Sequence, residues 1–174
     1  MQRLASEGRT SIGSLYHFFP DKDAVLNALS QRHLEALQDI TAQLGSVPDE
    51  AWQRLTAEEV VENLIYPYLE YNANHPDMQV LIQPRQGEQK LQSPELHAAV
   101  RAIYDRVLTL RLPDASPDDR RTYSATMFCI PSGMFYSAPE SDDVRKRVWL
   151  EELPRALTAY LNALDSIDGA ARNT

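Results

Sequence analysis

Residues 4–26, LASEGRTSIGSLYHFFPDKDAVL, carry the densest pattern in the chain. Within them, TSIGSLYHFF spaces Leu15, Phe18 and Phe19 as one inner face of a short helix. Thr10 or Ser11 can cap that helix, because a side-chain hydroxyl there accepts from the amides that open it. Ser14, Tyr16 and His17 then face outward. A glycine inside a helix costs about 1 kcal/mol relative to alanine, so Gly13 points to something that approaches the backbone closely. Asp21 is the expected cap of the next helix, which puts Lys22 in its first turn. A cation there is disfavoured by about 0.3–1 kcal/mol against the helix dipole. Two readings stand: an anion bound at the free N–H groups with Lys22 assisting, or simple neutralisation by Asp21 and Asp23.

Downstream the pattern is helical throughout. Val25, Leu26, Leu29, Leu34, Leu37, Ile40 and Leu44 recur at three- and four-residue spacings up to Gly45, and GSVPDE reads as a linker. Thr56, three residues before Glu59, is a capping-box signature, and Pro67 is expected to kink the helix that Thr56 opens. HPDMQVLIQ reads as a short helix and PRQGEQKLQS as a loop. Ser93 and Pro94 open another helix, with Leu96, Val100, Ile103, Tyr104, Val107 and Leu110 on one side. Residues 118–138 are nearly all apolar after Tyr123, which predicts a buried helix interrupted near Pro131 and Gly133. Residues 142–164 read as one long amphipathic helix with a polar tail beyond. No stretch alternates with a period of two, so the expected fold class is all-α.

The 174 residues, 43% hydrophobic and 24% charged, are enough to bury a core. No apolar run approaches the roughly 20 residues that span a bilayer, and no signal-peptide pattern opens the chain, so a cytoplasmic protein without membrane association is expected. A net charge of −8 argues against general coating of nucleic acid. Up to Ala36, however, Arg3, Arg9, Lys22 and Arg32 balance Glu7, Asp21, Asp23 and Glu35, so a nucleic-acid contact is possible near the start. Cys129 reads as a buried thiol. The histidines are scattered, and no zincin pair, phosphate loop or nucleophile motif is present, so neither an enzyme, a metal site nor a cofactor is expected.

The stretch 4–26 resembles the second half of the DNA-binding region of tetracycline-repressor-like (TetR) transcriptional regulators: a helix, a turn, Thr-Ser-Ile-Gly-Ser-Leu-Tyr, aromatics, then Pro-Asp-Lys-Asp-Ala-Val-Leu. The resemblance implies a helix-turn-helix at its start and a larger helical domain that binds a ligand and forms a homodimer. Residues 1–44 would hold the partial DNA-binding region and connecting helix, and 45–174 the ligand-binding and dimerisation domain. By the same resemblance Ser11, Ser14, Tyr16 and Lys22 fall where relatives meet phosphates, and Thr10, Ile12, Gly13 and His17 where they meet or approach base edges. The implied partners are operator DNA and a small apolar or aromatic ligand that releases a repressor; the alternative is a dimeric small-molecule-binding module that does not bind DNA.

Two departures accompany the resemblance. Arg9 stands where the family has glycine, with Gly8 before it, so either Arg9 is strained or the turn is shifted by one residue. The family's first helix has no counterpart, and Met1 falls about where its second begins. Residues 1–19 are therefore expected to be loosely held, with specific DNA binding by this exact chain weak or absent.

In the larger part, Tyr68, Tyr71, Met78, Tyr104, Tyr123, Met127 and Phe128 supply apolar walls with hydroxyl tips that suit a small organic ligand, or else plain core packing. Kinks at Pro67 and Pro131 would open space between helices. Ile130, Met134, Trp149, Leu153, Leu157 and Tyr160 offer more apolar surface than one bundle needs and are the expected dimer interface.

Overall fold

The chain opens with α1 (Gln2–Glu7) and α2 (Ile12–Phe18), and the expected caps set where the helices begin. These elements belong to a computed structural model that describes residues 1–78, 81, 93–136 and 141–171. Ser11 Oγ accepts from the Ser14 amide at 3.0 Å and opens α2. Asp21 Oδ1 accepts from the Ala24 amide at 2.8 Å and opens α3 (Lys22–Gly45). The stretch after α3 is not a plain linker, because Asp49–Arg54 forms α4. Acidic Asp49 and Glu50 in its first turn suit the helix dipole, and Trp52 is buried beneath it.

Thr56 and Glu59 make the capping box of α5 (Ala57–Asn74). Hydrogen bonds from the Thr56 backbone and hydroxyl hold the Glu59 carboxyl below its ordinary pKa. Ser93 caps α6 (Pro94–Arg111), with Pro94 at the first helical position where its missing N–H costs nothing. Then come α7 (Pro117–Tyr136), α8 (Asp142–Arg147), a π-helical turn (Val148–Glu152) and α9 (Leu153–Ala171). Where one regular helix was expected from 142 to 164, the helix runs on to Ala171 and widens before Pro154. Proline cannot donate to the Leu150 carbonyl and its ring crowds that oxygen, so a wider turn relieves the conflict.

The described residues are helical with no strand, and the fold is all-α. The core forms where α5 packs on α9 and α3, and α6 packs on α3, α4 and α7. Val60, Val61, Leu64, Ile65 and Leu69 of α5 meet Leu157, Leu161 and Leu164 of α9 in it. Polar ties pin the helix ends. Arg106 donates to the Gly45 and Val47 carbonyls at 2.8 Å each and to Asp49 at 2.7 Å, so α6 caps the C-terminus of α3. Arg111 grips Asp165 with two nitrogens and donates to the Leu55 carbonyl at 2.9 Å.

Burial corrects three expectations. Trp149, Leu153 and Leu157 are not an interface: Leu153 is 2% and Leu157 0% exposed within the single chain, consumed by its own core. Ile130 and Tyr160 also pack against that core but stay partly open, and the Met134 side chain lies outside the described residues. Phe18, the last residue of α2, is 73% exposed, and of the two aromatics only Phe19, the C-cap with extended backbone, is half-buried. Cys129 is exposed rather than buried. Among the described residues no helix is long and apolar enough to cross a membrane.

Candidate functional site

The turn between α1 and α2 keeps its register, with arginine where a glycine is expected. Arg9 has φ 48°, left-handed backbone. Its amide donates to the Ser6 carbonyl at 3.3 Å and the Thr10 amide to the Ala5 carbonyl at 3.0 Å. This nested pair is the Schellman arrangement, whose left-handed position favours glycine. With a side chain there the turn is strained by about 1–2 kcal/mol. Gly8 serves a different need: a Cβ on it would stand 3.1 Å from the Leu4 carbonyl oxygen.

Beyond that turn, Thr10, Ser11, Ile12, Gly13, Ser14, Tyr16, His17 and Lys22 are all exposed. Ile12, Gly13, Tyr16 and His17 share one side of α2 by helical spacing, opposite the half-buried Leu15. Lys22 occupies the first position of α3, beside the Asp21 cap. Nothing inside the chain requires glycine at 13, since a Cβ there would meet only Ser11 Oγ at 3.8 Å. Gly13→Ala should therefore raise the stability of α2 by about 1 kcal/mol, read as slower amide exchange in α2, while weakening any DNA complex that needs the bare backbone. Unchanged or tighter DNA binding would show that no surface approaches Gly13.

The second feature is a cavity of about 140 Å³. Leu34 and Leu37 of α3, Ile65 and Tyr68 of α5, Tyr104 of α6 and Phe128 of α7 are among its walls. His97, Pro131 and Ser132 also line it, and among the described residues no Asp, Glu, Lys or Arg does. Four of the expected ligand residues, Tyr68, Met78, Tyr104 and Phe128, meet there. The other three do not: Met127 is buried in the core, Tyr123 packs against it, and Tyr71 bonds to His33. The Tyr68 hydroxyl lies 2.9 Å from Thr41 Oγ1, and Thr41 donates to the Leu37 carbonyl at 2.7 Å. Burial pushes the Tyr68 hydroxyl pKa up against the opposing Thr41 bond. Burial pushes Tyr104 higher still, helped by the neighbouring Tyr68.

Sequence reasoning passed over His33, which is 0% exposed on α3. Its Nδ1 is 2.8 Å from the Tyr71 hydroxyl and its Nε2 3.1 Å from Asp77 Oδ2. The neutral ring satisfies both contacts if Nε2–H donates to the carboxylate and Tyr71 donates to Nδ1. His75 stacks on Tyr71 at 4.0 Å, so the end of α5 and the middle of α3 are joined through four polar side chains. Among the described residues no group of three or more side chains is arranged to hold a metal ion.

The family model described as "Tetracyclin repressor-like, C-terminal domain" matches residues 56–161. The chain belongs to the tetracycline-repressor-like family. Its matched span covers α5 to α7 and the first part of α9, the elements that wall the cavity together with α3. In this family the C-terminal domain is regulatory rather than catalytic. No curated protein matches the chain.

Proposed function

We propose that this protein is a ligand-responsive DNA-binding transcriptional regulator, a repressor released when a small apolar or aromatic molecule fills the cavity. One observation carries the reading: α3 has Lys22 and its exposed neighbours at one end, and further along it Leu34 and Leu37 line the cavity while Thr41 bonds to the Tyr68 hydroxyl. Residues 1–44 then serve DNA contact and connection, with Leu34 and Leu37 completing a ligand cavity whose other walls belong to 45–174, the part that also self-associates. Operator DNA and a second copy of the chain are the partners. The outer side of α9, where Ala156, Ala159, Ala163 and the 59% exposed Ile167 recur at helical spacing, is the surface that suits a second copy.

Crosslinking the protein to DNA in its own cells and sequencing the captured fragments identifies the operator. Lys22→Ala should then weaken binding equally on all sequences and lower the salt slope of log K by about one unit, as loss of one phosphate contact requires. An unchanged slope would mean that Lys22 is only neutralised by its acidic neighbours. Capture of no enriched sequence would overturn the DNA-binding reading itself.

A further inference from the structure

The cavity has a hydrogen-bonding polarity as well as a shape. The single Thr41 hydroxyl proton goes to the Leu37 carbonyl, so Thr41 accepts at its contact with Tyr68 and Tyr68 donates. The Tyr68 proton is thereby committed, and its oxygen keeps only acceptor capacity. Tyr104 is the reverse. It is 4% exposed, lines the cavity, and its hydroxyl makes no hydrogen bond among the described residues. Deprotonation of Tyr104 is opposed first by burial and then by the neighbouring Tyr68, so it stays a donor at any ordinary pH. The Tyr104 donor and the Tyr68 acceptor are both walls of the one cavity, so a bound molecule can meet each of them.

We infer that the effector is an uncharged molecule of one ring carrying a hydroxyl, which accepts from Tyr104 and donates to Tyr68. This rests on the reading of the cavity as the effector site. The space suits a single ring: an engineered apolar cavity of about 150 Å³ takes benzene, and this one is about 140 Å³. Charged analogues are disfavoured, because among the described lining side chains there is no Asp, Glu, Lys or Arg, and the one imidazole, His97, is exposed. A ligand hydroxyl completes the relay from Tyr104 through Tyr68 and Thr41 to the Leu37 carbonyl, whereas an ether or ketone satisfies only Tyr104.

Titration calorimetry with phenol, toluene and benzoate tests this on the full chain, on Tyr104→Phe and on Tyr68→Phe. Phenol should bind at least tenfold tighter than toluene, and benzoate should not compete. Tyr104→Phe should cut phenol affinity at least tenfold and leave toluene within twofold, and Tyr68→Phe should also weaken phenol while sparing toluene. Toluene binding with phenol no tighter, or phenol affinity unchanged in both variants, overturns the hydroxyl assignment and leaves the cavity as the effector site. Failure of both toluene and phenol to bind overturns the cavity reading with it. Circular dichroism of each variant verifies that the helical fold is retained.

Discussion

Leu157→Asp is expected to unfold the protomer, not to separate two intact copies. Leu157 is fully buried on α9, in the core cluster that also holds α5. Removing its side chain from the core forfeits about 1.5–3 kcal/mol of burial. An unpaired carboxylate in its place adds several kcal/mol of desolvation. Together these consume most of the about 5–15 kcal/mol that holds a domain folded. Urea titration followed by circular dichroism should show a loss of more than about 4 kcal/mol, or no folded baseline at all. Ile167→Asp, on the exposed side of the same helix, should change stability by less than about 0.5 kcal/mol. A well-folded Leu157→Asp protein that sediments at half the native mass would restore Leu157 to an interface.

His33→Ala should be the next most damaging change. The ring is fully buried between α3 and the end of α5, and both its nitrogens are in use. Truncation opens a cavity, strips Tyr71 of its partner and leaves Asp77 with a lost donor. A loss of about 3 kcal/mol is expected, the size of other large-to-small changes at buried sites. The midpoint of urea unfolding measures it, with the slope of the transition unchanged. A loss below about 1 kcal/mol would mean that the ring contributes little to joining α3 and α5.

Where the physics is local, the chain could be read directly. The Ser11, Asp21, Thr56 and Ser93 caps depend on one side chain and an amide two or three residues on, and each forms as its spacing implies. The all-α class followed from the same periodicities. What escaped was set by residues distant in sequence. Leu153 and Leu157 carry an amphipathic stripe that fits an internal core or a partner equally well, and only the packing of α5 against α9 decides between them. His33 looked like an isolated histidine because Tyr71 and Asp77 lie 38 and 44 residues away. The cavity likewise draws Leu34 and Leu37 from a stripe that reads as ordinary core, and only their meeting with Tyr68 and Tyr104 marks them. Even the π-helical turn has its cause in plain view at Pro154, yet a widened turn and a kink are equally compatible with that proline.

The clamp that Arg106 places on the end of α3 has a mechanical consequence. With Gly45 and Val47 held by one guanidinium, that end is the natural pivot of a 24-residue rod. Leu37 stands about 12 Å from the pivot and Lys22 about 34 Å from it, at the rise of about 1.5 Å per residue. The lever ratio is therefore nearly three. A sideways shift of about 0.7 Å at Leu37 swings Lys22 through about 2 Å, more than half the rise of about 3.4 Å along the helix axis from one phosphate of a DNA strand to the next.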